Sequence, residues 1–206
     1  KKELDYFTIE GCYGGNQDWF TNLVMHMGGC AAATACDSCI YFGLQNEKIE
    51  ALYPFGIECL TKEDYKAFSQ IMKPYLKPRA GGVRKLSWFV EGLGRYIQDV
   101  NEAKHTDIYI RMEDSVVIIM AGSSYIIKEQ LDQDIPVPYL LLHHQNEAYK
   151  DYIWQLVPAT GYEEKDEIAD ECKNHDVDII SLIAPASHDR IKMIAKEATG
   201  FIYCDF

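Results

Sequence analysis

Apolar residues recur at helical spacing through the first half of the chain, whereas the second half alternates apolar runs with polar, helix-like stretches. Trp88, Phe89, Leu93, Tyr96 and Ile97 predict an amphipathic helix over residues 85–100. Tyr65, Phe68, Ile71 and Met72 predict a second helix, which Thr61 and Asp64 cap and which stops before Pro74. A third runs over 30–42, with alanines early and Ile40, Tyr41 and Phe42 packing late. Ahead of them, residues 6–10 read as a short strand closed by Gly11-Cys12-Tyr13-Gly14-Gly15, and 74–82 read as a turn-rich connection.

Strand patterns dominate further on. Residues 105–112 alternate like a half-buried strand, and 116–120 read as either a turn or a short strand. Ser123 or Ser124 is placed to cap a helix over 125–131, followed by strands at 136–142 and 152–157. Beyond Gly161 the order becomes helix 163–175, strand 177–183, helix 190–199 and strand 201–204. The expected organisation is helical first and mixed α/β afterwards, without internal repeats.

Composition changes this picture only by exclusion. The 206 residues are 48% hydrophobic, enough for one good core or one core with an appendage. A formal net charge of −12 and the lack of a basic stripe argue against nucleic acid or an anionic membrane as a partner. Seven cysteines suit a reducing compartment better than a disulfide framework. With no long apolar run and no signal-peptide core at Lys1-Lys2-Glu3-Leu4-Asp5, a cytoplasmic location is expected.

Candidate chemistry starts at Gly28-Gly29-Cys30-Ala31-Ala32-Ala33, where a thiol stands at a helix start. The free N–H groups and dipole there lower a cysteine's pKa, and small neighbours admit a substrate backbone. The competing reading is that Cys30 is a small buried residue. Cys36-Asp37-Ser38-Cys39 has Cys-x-x-Cys spacing with His26 and Cys30 nearby, but the alanines imply a continuous helix and no second pair matches it. No metal or other cofactor is expected.

Gly14-Gly15-Asn16-Gln17-Asp18-Trp19-Phe20, then the Cys30 segment, the strand at 136–142 and the aromatic strand ending Thr160-Gly161-Tyr162 resemble papain-fold cysteine peptidases of the bacteriocin-processing type. The resemblance covers roughly 10–162. It implies an α+β papain-like fold with an N-terminal helical part and a C-terminal antiparallel sheet, Cys30 as nucleophile, Gln17 as oxyanion donor and a peptide or small amide as substrate. Asn16 and Asn22 are alternative donors, and Asn16, Trp19, Trp154 and Gln155 are the expected binding residues.

Two departures stand out. Gln17 lies thirteen residues before Cys30, farther than in the family, so a longer loop must return its amide to the oxyanion position. Otherwise it braces the glycine-rich turn. Gln155 occupies the place of the general-base histidine, and glutamine accepts no proton at neutral pH. His144, with His143 beside it, is the substitute expected to reach Cys30; His26 stands too close in sequence for the right ring geometry. An impaired peptidase or a peptide-binding relative without activity is the resulting expectation.

The tail resembles another family. Tyr162-Glu163-Glu164-Lys165-Asp166-Glu167, Asp178-Ile179-Ile180-Ser181-Leu182-Ile183-Ala184-Pro185, Arg190-Ile191-Lys192-Met193-Ile194-Ala195 and Gly200-Phe201-Ile202-Tyr203-Cys204 are similar to the α subunit of tryptophan synthase. The resemblance implies a helix–strand–helix–strand piece of a (β/α)₈ barrel, which needs around 250 residues to close. Such a piece carries no lyase activity by itself. Domains at 1–161 and 162–206 are therefore expected, the tail either completing the papain-like sheet or leaving the strand at 179–183 as a sticky edge.

Overall fold

The computed structural model describes residues 1–115, 123–141, 155–164, 180–183 and 203–205. Its helices are α1 (Leu23–Gly28), α2 (Cys30–Gln45), α3 (Lys62–Met72), α4 (Ser87–Lys104) and α5 (Ser123–Asp132). The strands are β1 (Lys2–Glu3), β2 (Thr8–Ile9), β3 (Cys12–Tyr13), β4 (Glu113–Ser115), β5 (Val137–Leu141), β6 (Gln155–Ala159), β7 (Gly161–Glu164), β8 (Ile180–Ile183) and β9 (Tyr203–Asp205).

α2 is the axis of the core because its sequence leaves it almost no polar face. Cys30, Ala31, Ala32, Thr34, Ala35, Cys36, Cys39, Ile40 and Tyr41 are all buried, so the helix must be covered on several sides. α3 covers one of them with Tyr65, Phe68 and Met72, residues that share a helical stripe. That helix starts where expected: Thr61 Oγ1 accepts from the Asp64 N–H at 3.0 Å and donates to the Asp64 carboxylate at 2.8 Å. α4 brings Phe89, Leu93, Tyr96 and Ile97 against the same core. Another side of α2 is covered by β6, through Leu156 and Ala159, and the Thr34 hydroxyl donates to the Leu156 carbonyl at 2.9 Å.

The strands pair antiparallel throughout the described residues. β5 pairs with β6 in the register Tyr139↔Val157, while β7 lies between β1 and β8, with Glu3↔Gly161 and Gly161↔Ile183 opposite one another. Leu4 N–H donates to the Thr160 carbonyl at 2.8 Å, which ties the N-terminus to the break between β6 and β7. β9 pairs with β4 in the register Asp114↔Cys204.

Several elements differ from the sequence expectation. Residues 106–112 form no strand, although their burial does alternate: Ile108 is 8% exposed and Tyr109 82%. Asn101 is the reason. Its Oδ1 accepts from the Ile108 N–H and the Thr106 hydroxyl, and its Nδ2 donates to the Ile108 carbonyl, so a side chain replaces the ladder partner. The segment Thr160-Gly161-Tyr162 is not a strand-ending turn. It continues into β7, because Gly161 and Tyr162 are paired along both edges. Residues 163–164 consequently belong to a strand rather than to the start of a helix. α5 begins at Ser123 and takes in both serines expected to cap it. The expectations for 116–120, the rest of the helix over 163–175 and the helix over 190–199 lie outside the described residues.

Replacing Asn101 by alanine removes three hydrogen bonds around the α4 terminus, two of them to the Ile108 main chain. A loss of about 2 kcal/mol is expected, measured as a lower midpoint with unchanged slope in urea unfolding.

Candidate functional site

Two helices meet at one glycine ahead of Cys30. The Gly29 N–H closes α1 by donating to Met25 at 2.8 Å, and its carbonyl opens α2 by accepting from Ala33 at 2.9 Å. Cys30 is thus the first residue of α2, as its sequence context implies. Its thiol, however, is not raised into solvent. Cys30 is 3% exposed, with main-chain groups of Leu156 on β6 and of Val83 within reach of the sulfur. Burial pushes the thiol up from its ordinary pKa, outweighing the lowering by those main-chain groups and by the helix-start N–H groups of Cys30 and Ala31. The expected activation by the helix terminus is therefore reversed by desolvation.

The segment over Cys30 is held closely. Arg79 N–H donates to the Gly28 carbonyl at 3.1 Å, and a Cβ on Gly28 would overlap the Arg79 carbonyl, so only glycine admits this crossing. The Arg79 guanidinium lies 3.9 Å from the Trp88 ring centroid.

The other predicted site residues are placed as follows. Gln17 does return to the approach to Cys30, but its Nε2 donates to the His26 carbonyl at 2.6 Å and so braces α1. The Asn16 side chain accepts from Asp18 N–H at 2.8 Å and caps a 3-10 helical turn over Gln17–Trp19, and that of Asn22 accepts from Met25 N–H at 3.2 Å and caps α1. Trp19 packs edge-on against Tyr65 with the Lys62 ammonium 5.0 Å from its ring centroid. Gln155 is half-buried at the start of β6, next to Leu156. His26 is exposed on α1. His143, His144 and Trp154 lie outside the described residues. Among the described residues, no group of three His, Cys, Asp or Glu side chains is placed to hold a metal ion. Cys36 and Cys39 are buried within the continuous helix, and Cys12, Cys30, Cys36, Cys39 and Cys59 are thiols outside any disulfide.

The titratable group that sequence reasoning overlooked is Asp37, two turns along α2 from Cys30 and only 2% exposed. Its carboxylate accepts from the Tyr65 hydroxyl at 2.7 Å, the Tyr6 hydroxyl at 3.3 Å and the Gly15 N–H at 3.2 Å. Gly15 must be glycine there, since a Cβ would occupy the Tyr65 ring. Burial pushes the Asp37 carboxyl up from 3.8 to about 7, against the opposing hydrogen bonds. The signal was present in the sequence: one charged residue inside a helix otherwise made of small, apolar and uncharged residues requires buried donors.

Residues 146–205 match the family described as tryptophan synthase alpha chain. The tryptophan synthase alpha chain of Bacillus subtilis (strain 168) is 49% identical over 49 residues, 24% of this chain and 18% of that protein. That of Thermoanaerobacter sp. (strain X514) is 31% identical over 90 residues, 37% of this chain and 34% of that protein. This chain therefore spans only a minor part of the relatives it matches. No solved structure matches it. The similarity of the tail to this family is thus established, and its span begins ahead of Gly161, taking in Gln155 and the whole of β6.

Asp37 makes stability pH-dependent with a definite sign. Because its folded pKa lies above its unfolded value, the folded state holds the proton more tightly. The group's stabilising contribution is full below about pH 4 and is lost as pH rises through about 7. Thermal midpoints recorded between pH 5 and 8 are expected to fall with rising pH, and Asp37→Asn to flatten that slope. An unaltered slope in the variant would assign the dependence to other groups.

Proposed function

We propose that the chain joins a tryptophan synthase α-related segment to an α+β domain, without α-chain lyase activity of its own, and that the segment's role is structural. The observation that carries this reading is that β6, inside the family-matched span, packs Leu156 and Ala159 into the same core as α2. Its strands serve as cover for a helix that is apolar nearly all round. Two further facts support it. A (β/α)₈ barrel is built of parallel strands over around 250 residues. Here β7 and β8 pair antiparallel, and the match to the Bacillus subtilis protein takes in 18% of that relative.

A chain ending at residue 145 tests the proposal. Without β6 the covered face of α2 meets water, and burying each large apolar side chain contributes about 1.5–3 kcal/mol. The truncated chain is expected to lose its near-UV circular dichroism and to bind a hydrophobic dye. A cooperative unfolding transition at the full chain's midpoint would refute the structural role. The full chain is expected to show no tryptophan synthase α activity, and measurable turnover would refute that part of the reading separately.

A second reading concerns Cys30. We infer a papain-like domain that binds peptides or small amides without hydrolysing them. Cys30 at the first residue of the central helix, facing β6, favours the papain-like arrangement, while a buried, pKa-raised thiol and a glutamine at position 155, where the resemblance calls for a histidine, favour silence. Iodoacetamide at pH 6 is expected to modify Cys30 more slowly than a free peptide thiol. Faster modification, or hydrolysis by the unmodified chain, would instead support an active peptidase.

A further inference from the structure

Cys30 is enclosed from two sides that differ in how firmly they are held. On one side Leu156 belongs to β6, which is paired with β5 over five residue positions and bonded to α2 through Thr34. On the other, Val83 belongs to a connection between α3 and α4 that has no regular structure from Lys77 onward. This connection is buried at Leu76, Val83 and Leu86, whereas Ala80 and Gly81 between them are exposed and Gly82 takes a φ of +69°. Tyr75, ahead of it, is held to α4 by Arg95 and Asp99, and past Lys77 Arg79 bridges two helices: it donates its N–H to Gly28 and stacks its guanidinium on Trp88.

We propose that residues 77–83 are an occluding strap over the Cys30 thiol, latched by Arg79 and able to lift while the rest of the core stays folded. Leu76 and the α3 terminus anchor one end and Leu86 the other, and the glycine pair at Gly81-Gly82 absorbs the backbone change that carries Val83 off the sulfur. Local opening of a short irregular segment needs far less free energy than global unfolding, because few buried contacts are lost. Lifting the strap rehydrates the sulfur and restores the influence of the α2 N-terminus, which burial now overrides. The glycine at position 28 is part of the device, since it lets the strap lie directly on the end of α1. The inference deepens the papain-like reading of the same thiol, but its test reads thiol access rather than hydrolysis, so either can fail alone.

Two substitutions in the full chain act on the latch from opposite partners. Gly28→Ala wedges a methyl group under the Arg79 carbonyl, and Arg79→Ala removes the stacking on Trp88. Labelling with iodoacetamide in native buffer, resolved by peptide mass spectrometry, is expected to be about tenfold faster at Cys30 in both variants, with Cys36 and Cys39 unlabelled. Those two buried thiols on the same helix report global opening. Unchanged Cys30 rates in both variants would overturn the strap. So would Cys36 and Cys39 reacting in step with Cys30 in Arg79→Ala, which decides the matter if Gly28→Ala unfolds the chain.

Discussion

The carboxylate of Asp37 is the interaction on which the N-terminal architecture depends. It sits inside the helix that forms the axis of the core, and a buried acid without donors costs several kcal/mol, or must take up a proton. Three groups answer it: Gly15 and Tyr6 from the segment before α1, and Tyr65 from α3. One side chain thus fixes how two otherwise separate parts of the chain lie against α2. Tyr65 also reaches the Ala33 carbonyl at 3.1 Å, so its hydroxyl has an acceptor in either protonation state of the acid. Tyr65 therefore keeps an acceptor on α2 across the carboxyl's titration.

The same helix explains how β6, inside the family-matched span, comes to lie in the core. α2 presents small residues, chiefly alanine, cysteine, serine and threonine, and small residues let neighbouring backbone come close. β6 uses that space, and Thr34 binds its main chain directly. Pairing then propagates outward from β6 and β7 to β1, β5 and β8. The N-terminal strand β1 pairs with β7, so the first residues of the chain and a segment similar to tryptophan synthase alpha chains share one sheet. The apolar strand at 180–183 gains β7 as a partner there along one of its edges.

Cys30 shows how position and environment separate. A helix start supplies N–H groups and a positive dipole end, whereas the chain above it removes water, and for a thiol the second effect wins here. The residues expected to assist it serve architecture: Asn16 and Asn22 cap helices, Gln17 braces α1, and Trp19 packs on Tyr65. Each is near the approach to Cys30, and each has its polar group or ring already engaged.

Local chemistry was legible in the sequence. Thr61 and Asp64 announce the start of α3, and the apolar spacing from Trp88 to Ile97 announces α4. Gly28-Gly29-Cys30 announces the first residue of α2, and the tail's likeness to tryptophan synthase alpha chains is carried by contiguous residues. These features depend on neighbours within a few positions, or on a run of identities, and both are written along the chain. What only the tertiary structure decided depends on partners far away in sequence. Asn101 suppresses a strand at 106–112, β1 and β8 make Gly161-Tyr162 the start of a new strand, and Tyr6, Gly15 and Tyr65 turn an unremarked Asp37 into a clamp. For Cys30, sequence set the helix terminus but not the burial, because the chain that closes over the thiol, at Val83 and Leu156, lies far from it in sequence. A pKa follows the sum of local dipole and distant cover, and only the first of these is local.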